Sequence, residues 1–387
     1  MNVSLAGSVV NITDAEQVGT ITTSTGTTVN MSGGSSLLIN NGGTNNGTMN
    51  LNASSLANAT LTNNGLMTFT NGFNIHTTLM NGTTGTIDLL DDTGLTDNGA
   101  LINSGTLELN GGSGTAKLNG IQLQDLGGTI NVQSGTLSDD QNAVINNATF
   151  TIASGAAFAF DPISPSNGGD TFYFSGTSTG TGAGHLIFNS GGVTPGNPDA
   201  TVTSSILNFP SGFAQVTGTN FLVNPQDGAV QLVTNTGFLN YTGSATHADL
   251  GMFNYGTIEV TGTGNIGVSA SGPFTNEATG VIDFAVDASF VELGGNTGFT
   301  NFGTIEKTGG VGTSSIAFNG IDSGATVNAQ TGTIDYPSGF SFNNTTFIAA
   351  AGATISLDDT AGGNNFGVSG TLRTANTSLL RNLRPGH

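Results

Sequence analysis

Gly85-Thr86-Ile87-Asp88-Leu89 is the stretch of sequence that decides the fold of this chain. Ile87 and Leu89 flank a polar residue, so in an extended strand both aliphatic side chains lie on one side and Asp88 on the other. A glycine before the strand suits a tight turn, because glycine adopts a positive φ at no steric cost. One such strand cannot bury its apolar face alone, so it needs strands stacked above and below it.

The same signature recurs along the chain. Its copies begin at Gly47, Gly65, Gly85, Gly105 and Gly128 in the first half and at Gly256, Gly280, Gly303 and Gly332 in the second. A period of about 20–25 residues fits one coil of two or three short strands, and successive coils then stack through parallel hydrogen bonds. The sequence therefore predicts an all-β parallel β-helix (β-solenoid) with about 20–25 residues per coil. The aliphatic residues at the third position are expected to form internal columns, one through Ile87, Leu107 and Ile130 and one through Ile258, Ile282, Ile305 and Ile334.

A longer duplication underlies these repeats. Residues 79–89, 103–114 and 128–137 align with residues 274–284, 301–312 and 325–334, so a block of about 195 residues occurs twice. The pattern predicts a first solenoid block over 1–160, a second over 201–372 and a basic tail over 373–387. The stretch 161–200 holds four of the nine prolines. It is predicted to be an irregular, loop-rich junction, with a run of longer turns as the alternative.

Charge is strongly one-sided. The chain has 25 acidic and 5 basic residues, for a formal net charge of −20. Nucleic acids and anionic membrane surfaces are bound through Lys and Arg, so neither is expected as a partner. No stretch approaches the roughly 18 consecutive apolar residues of a membrane-spanning helix, so no membrane insertion is expected.

Three strings of the repeat carry a resemblance to a known family. They are NSGTLELNGGSG at 103–114, GTINVQSGTL at 128–137 and FTNFGTIEKTGG at 299–310. They resemble the repeats of bacterial surface β-helix proteins, namely autotransporter passenger domains and filamentous-haemagglutinin-like adhesins, and the resemblance covers about residues 40–372. It implies a right-handed parallel β-helix and an extracellular, cell-surface location. It also implies a structural or adhesive function.

Enzymatic chemistry is the main contrast to that function. Glycoside hydrolysis needs two carboxylates that face each other across a groove. The candidate pairs are Asp91-Asp92, Asp139-Asp140 and Asp358-Asp359. Adjacent acids on a strand point to opposite faces, and no His stands at metal-ligand spacing from a second ligand. We therefore predict that the chain is not an enzyme and has no catalytic residues and no cofactor.

Two other functions remain as alternatives. One is a carbohydrate-binding or carbohydrate-cleaving spike of the phage tailspike type, with surface glycans as partners. The chain has no Trp, which counts against it, because sugar stacking recruits such rings. The other is an ice- or mineral-binding solenoid, which needs a strict Thr-x-Thr ladder that the repeats do not show.

The polar position of the signature is often acidic. Its acidic members are Asp88, Glu108, Glu259, Asp283, Glu306 and Asp335. Stacked coils would place these carboxylates outward and about one strand spacing apart, where like charges repel. The preferred interpretation is a solvated acidic stripe that maintains solubility. A Ca²⁺ site that relieves the repulsion is the alternative.

Charges of opposite sign lie near the two ends of the sequence. Arg373, Arg381 and Arg384 fall in a segment without acids, whereas Asp14 and Glu16 lie near the start. A contact between these groups on successive molecules is heterologous and propagates into a filament. Self-association into a homo-oligomer or filament is therefore expected, with a disordered basic tail as the alternative.

Overall fold

The computed structural model describes most of the chain. The described residues are 2–5, 7–161, 171–189, 192–195, 205–218, 222–223, 233–244, 247–249, 251–268, 274–292, 298–317, 319–337, 339–357, 366–371, 373–375 and 380–381. The chain forms two compact units, Met1–Ile187 and Phe188–His387, called unit 1 and unit 2 below. The boundary between them falls inside the stretch 161–200.

Both units are parallel β-solenoids, so the predicted fold class is confirmed. A strand typically pairs in parallel with the strand three further along the chain, and Ile87 accordingly lies between Met67 and Leu107. Thr149–Ile152 pairs instead with the strand two further along, because the long strand Thr171–Thr181 belongs to two faces. The described residues contain strands, turns and bends but no helix. Coil length varies from 18 residues, between Leu61 and Leu79, to 30 residues, between Thr149 and Thr179. This range is wider than the predicted period, because turns between the strands absorb the extra residues.

Three strands make one coil of unit 1, and their stacks form three faces. Face 1 contains Asn2–Leu5, Thr20–Thr23, Gly43–Asn45, Leu61–Asn63, Thr78–Asn81, Ala100–Asn103, Gln122–Leu126, Ala143–Asn146 and the first part of Thr171–Thr181. Face 2 contains Val9–Ile12, Thr28–Met31, Thr48–Asn52, Leu66–Thr70, Thr86–Leu89, Thr106–Leu109, Thr129–Val132, Thr149–Ile152 and the last part of Thr171–Thr181. Face 3 contains Ala15–Val18, Ser36–Ile39, Ser55–Asn58, Phe73–His76, Leu95–Thr96, Thr115–Asn119, Thr136–Asp139, Ala157–Phe160 and His185–Phe188.

The coils of unit 2 also have three faces, which are numbered within that unit by their order along each coil. Face 1 contains Ser205–Asn208, Val233–Asn235, Met252–Asn254, Phe274–Asn276, Phe299–Asn301, Gly320–Ser323, Phe340–Asn343 and Gly367–Ser369. Face 2 contains Ala214–Val216, Phe238–Tyr241, Thr257–Val260, Val281–Phe284, Thr304–Lys307, Thr326–Ala329, Thr346–Ala349 and Arg373–Ala375. Face 3 contains Gly192–Pro195, Leu222–Val223, His247–Asp249, Ile266–Val268, Phe290–Glu292, Thr313–Ala317, Thr333–Tyr336, Thr354–Leu357 and Leu380–Arg381.

The predicted internal columns are present on face 2. In unit 1 the column runs through Val29, Met49, Met67, Ile87, Leu107, Ile130 and Phe150, all at most 1% exposed. In unit 2 it runs through Leu239, Ile258, Ile282, Ile305, Val327 and Phe347. Ile334 was wrongly placed in this column, because it lies on face 3 between Ser314 and Ile355. The face 2 strand of that coil follows Ala325 instead of a glycine, so the signature is hidden there.

Most signature glycines are needed for a reason other than the predicted positive φ, although Gly332 does have one. Gly65 and Gly85 do not have a positive φ. A Cβ at Gly65 would lie 2.1 Å from the carbonyl oxygen of Gly47 on the preceding coil. At Gly85 a Cβ would lie 2.3 Å from the carbonyl oxygen of Asn63. Glycine is therefore required because the coils approach each other closely at this turn.

Candidate functional site

A column of buried asparagines runs inside unit 1 along the end of face 1. Ladder 1 consists of Asn45, Asn63, Asn81, Asn103 and Asp125, each at most 2% exposed. Each asparagine Nδ2 donates to the side-chain oxygen on the next coil, at 2.8, 2.8, 2.8 and 2.6 Å. The direction is the same at every step, so the last member only has to accept. A carboxyl group can accept a hydrogen bond in either charge state, and Asp125 occupies that last position.

Local sequence places each ladder residue. Asn45 and Asn63 end face 1 strands two residues before a signature glycine, and their Oδ1 atoms accept the N–H of Gly47 and Gly65 at 3.2 and 3.3 Å. This side chain-to-backbone bond caps the turn into face 2. The Asn-x-Gly spacing is visible in the sequence, but only the residues directly before the strand, such as Asn64-Gly65, were interpreted, as part of a tight turn.

Unit 2 repeats the arrangement with the same residue types. Ladder 2 consists of Asn235, Asn254, Asn276, Asn301 and Asp322, each fully buried. Its hydrogen bonds measure 2.7, 2.7, 2.8 and 2.9 Å and have the same direction. Ladder 2 also ends in an aspartate, and the next coil places Phe342 over it, as Ile145 lies over Asp125 in unit 1.

The two terminal carboxyl groups are buried in apolar surroundings. Burial raises the pKa of Asp125 to about 6, against the opposing effect of hydrogen bonds from Asn103 and the Gly128 N–H. Burial raises the pKa of Asp322 to about 7, against hydrogen bonds from Asn301 and Tyr336. The Tyr336 hydroxyl donates to Asp322 Oδ2 at 3.4 Å. Both carboxyl groups therefore change charge in the range between weakly acidic and neutral pH.

The predicted acidic positions form two separate columns on face 2. Asp88 and Glu108 are register partners in unit 1, and Glu259, Asp283 and Glu306 stack on successive coils of unit 2. Asp335 does not join them, because it lies on face 3 between Ser315 and Ser356.

Burial and like charge act together in these columns. Burial raises the pKa of Asp88, and burial followed by the Asp88 charge raises the pKa of Glu108. Burial raises the pKa of Glu259 and Asp283, and the Asp283 charge raises that of Glu259 further.

Amide and hydroxyl donors already occupy most of these carboxylates. Asn131 Nδ2 donates to Glu108 Oε1 at 3.1 Å, and Gln133 also donates to this oxygen. Asn328 and Gln330 donate to Glu306 Oε2, each at 3.1 Å, and Thr308 Oγ1 lies 2.8 and 2.9 Å from the two Asp283 oxygens. Within the described part of the chain, no three acidic or His side chains form a group that could hold a metal ion.

The adjacent aspartates considered for catalysis have structural partners. Asp91 accepts hydrogen bonds from the backbone N–H of Asn71 and Thr93. Asp92 accepts from the N–H of Gly114 at 2.8 Å. Asp139 and Asp140 are 0% and 3% exposed, and Asp140 Oδ1 accepts from the Gly120 N–H. The pair Asp358-Asp359 lies outside the described residues.

The buried ammonium group of Lys307 in unit 2 was not predicted from the sequence. Lys307 is fully buried and donates to the Val286 carbonyl at 3.0 Å, to Asp287 Oδ1 at 2.7 Å and to Ser314 Oγ at 3.2 Å. Its position ends a face 2 strand, where the other copies of the signature on this face have Leu, Val or Phe, so period-two alternation alone places it in the core. The three partners together satisfy its charge.

The residues predicted for self-association are described unevenly. Asp14 and Glu16 are exposed, and Glu16 lies on the first face 3 strand of unit 1. Arg373 begins the face 2 strand Arg373–Ala375, and Arg381 ends the face 3 strand Leu380–Arg381. Arg384 lies outside the described residues. Contact between the acidic and basic groups of two molecules stays a prediction.

Comparison with known families, curated proteins and solved structures found no match. The resemblance to bacterial surface β-helix proteins is therefore supported at the level of the β-solenoid fold alone. The part of the chain that the structure describes holds no helix of sufficient length and hydropathy to cross a membrane.

Proposed function

We propose that this chain is an extracellular structural or adhesive surface protein, built as a rigid β-solenoid and not as an enzyme. The internal ladder found in both units supports this proposal. Five consecutive coils of each unit are joined by side-chain hydrogen bonds in addition to backbone pairing. A fully satisfied buried polar network favours one register of the coils and resists their separation. Stiffness of this kind suits a scaffold.

Location and role are tested in the organism that makes the protein. An antibody against unit 1 is expected to label intact cells, and deletion of the gene is expected to reduce attachment or surface cohesion. Labelling that requires permeabilised cells would overturn the extracellular assignment. A deletion strain with unchanged attachment and an unchanged surface layer would overturn the structural or adhesive role.

We further propose that molecules associate head to tail through Arg373, Arg381 and Arg384 on one copy and Asp14 and Glu16 on the next. The exposure of Asp14 and Glu16 supports the acidic half of this contact. Reversal of the three arginines to Glu, or of the two acids to Arg, is expected to abolish filaments in electron micrographs. An equimolar mixture of the two variants is expected to restore filaments in which the variants alternate. Opposite charges then meet both where the two reversed ends join and where the two intact ends join.

The control is Lys117→Glu, which changes the charge of an exposed face 3 residue that belongs to neither group. Filaments that persist in both reversal variants, or that disappear equally in the control, would contradict the electrostatic contact.

A further inference from the structure

A groove of about 680 Å³ crosses face 2 of unit 1 over its first coils. Two columns of side chains border it, and their members repeat once per coil. The inner column lies within the strands and consists of Asn11, Asn30, Asn50 and Thr68. The outer column lies at the ends of the strands and consists of Thr13, Ser32, Asn52, Thr70 and Leu90. The strand residues between the columns, Ile12, Met31 and Leu51, form the floor.

The inner column is held in place by its own hydrogen bonds. Asn30 Nδ2 donates to Asn11 Oδ1 at 2.9 Å, Asn50 Nδ2 donates to Asn30 Oδ1 at 2.8 Å, and Thr68 Oγ1 donates to Asn50 Oδ1 at 2.9 Å. An amide has two N–H groups and an oxygen with two lone pairs. Asn30 and Asn50 therefore keep one donor and one acceptor each for a ligand, in orientations that the column has already fixed.

The groove carries no charged side chain among its lining residues. The same face becomes acidic at Asp88 and Glu108 on the following coils, and the equivalent positions of unit 2 are Glu259, Asp283 and Glu306. The uncharged stretch that lines the groove therefore ends at Thr68, and the same position is acidic on the next two coils. A ligand of this region is uncharged and offers both donors and acceptors.

We propose that the groove binds a neutral glycan chain. Sugar hydroxyls donate and accept at once, which matches the spare N–H and lone pair of each column amide. Leu90 is 38% exposed and supplies an apolar contact for the C–H face of a sugar. A groove of this size, with an apolar part and a few fixed polar groups, is typical of a ligand site. The repetition of donors along the coil stack suits a polymer. This proposal goes beyond the structural function and does not depend on it.

Native electrophoresis through gels that contain a soluble polysaccharide tests the proposal. The neutral probes are dextran, hydroxyethyl cellulose and galactomannan, and the anionic probe is polygalacturonate. The full chain is expected to be retarded by at least one neutral probe and not by polygalacturonate. Asn50→Asp is expected to weaken this retardation by about tenfold, because it removes the amide donor and adds a charge.

A matched control is available in unit 2. Asn240 occupies the same position on face 2 and accepts from Thr261 Oγ1 at 2.8 Å, as Asn50 accepts from Thr68. Asn240→Asp is therefore expected to leave retardation unchanged. Leu90→Ser, which leaves the amide column intact, is expected to weaken it, so the proposal remains testable if Asn50→Asp folds poorly.

Several results would overturn the proposal. They are no retardation by any neutral probe, equal retardation of the wild type, Asn50→Asp and Leu90→Ser, or retardation by polygalacturonate alone. Gels without polysaccharide also show whether the wild type migrates as a dimer. If it does and Asn50→Asp migrates as a monomer, the groove binds a second copy of the chain and not a glycan.

Discussion

Units 1 and 2 contain the same ladder in different surroundings. Both have four asparagines that donate in one direction and a terminal aspartate capped by an apolar residue on the next coil. In unit 1 the second bond to the terminal carboxyl, at Asp125, comes from the backbone of Gly128. In unit 2 the second bond, at Asp322, comes from the Tyr336 hydroxyl. The two ladders thus share one direction of donation, and the group that completes the end differs between them.

The units also differ at one core position beside the ladder. Lys307 of unit 2 takes the place of Leu109 in the aligned block, and Ser314 takes the place of Ala116. An aspartate bonded to a glycine N–H stands beside both positions, Asp92 in unit 1 and Asp287 in unit 2. The interior therefore accepts a polar residue where the preceding coil and the next strand of its own coil supply its partners.

Removal of a middle rung should produce the largest loss of stability. Asn81→Ala in unit 1 and Asn276→Ala in unit 2 each take a donor from the next rung and an acceptor from the preceding one. Two buried groups then lose partners, which costs roughly 4 kcal/mol in the free energy of unfolding. Urea unfolding monitored by circular dichroism measures this loss of stability.

The control for both variants is Asn240→Ala, which removes an outward amide of face 2 and is expected to cost below about 1 kcal/mol. A ladder variant that costs no more than this control would show that the column adds nothing beyond backbone pairing.

The terminal carboxyl groups should make stability depend on pH. Their folded pKa values, about 6 for Asp125 and about 7 for Asp322, lie above the ordinary value of 3.8. The folded state therefore binds more protons, so stability is greatest below pH about 4 and falls as pH rises to neutrality. Between pH 4 and pH 7 the expected loss is about 3 kcal/mol from Asp322 and about 2 kcal/mol from Asp125.

Urea midpoints at several pH values test this comparison. Asp322→Asn and Asp125→Asn each keep an acceptor oxygen but no longer titrate. Each variant should therefore lose the part of the pH dependence of stability that its own carboxyl group causes. The Asp322→Asn substitution should reduce the pH dependence of stability more than Asp125→Asn does. A wild type whose stability rises over the same interval would contradict the burial of both carboxyl groups.

The fold was predictable because its signal is local and repeated. Period-two alternation after a glycine recurs often enough that Ile87 and Leu107 could be stacked without coordinates. The prediction failed where one residue hid the signal. Ala325 replaces the glycine of one face 2 strand, so the nearest visible copy, at Ile334 and Asp335, was assigned to the wrong face.

The ladders were less predictable, because an Asn-x-Gly spacing has two physical causes. The same asparagine caps the turn and joins the coils, as Asn63 does through Gly65 and Asn81. Sequence shows the first role directly. The second depends on coils of unequal length placing two asparagines over each other. Alternation predicts the burial of Lys307, but its partners could not be foreseen, since they come from other parts of the coil stack.

An exchange of core residues between the units should have a moderate effect. Leu109→Lys gives unit 1 the buried ammonium without the Ser314 hydroxyl, and a loss of roughly 2 kcal/mol is expected, reduced when Ala116→Ser is added. Lys307→Leu with Ser314→Ala gives unit 2 the apolar pair, and its stability should change by less than about 1 kcal/mol.

Hydrogen exchange resolved by peptide assigns each change to its unit. Two results would contradict the role given to the partners of the buried lysine. One is that Ala116→Ser fails to stabilise the Leu109→Lys variant, and the other is that the apolar pair destabilises unit 2 more than the lysine destabilises unit 1.

Calcium should have the smallest effect, and unit 2 is the place to look for it. Three carboxylates stack there at Glu259, Asp283 and Glu306, against two in unit 1. Glu306 and Asp283 already accept amide or hydroxyl donors, so a cation would have to displace these bonds. Millimolar CaCl₂, relative to NaCl of equal ionic strength, is expected to raise the free energy of unfolding by less than about 0.5 kcal/mol. A larger rise in the melting midpoint that Glu259→Gln abolishes would identify the column as a cation site, because loss of one carboxylate would then remove a ligand and not merely a repulsive charge.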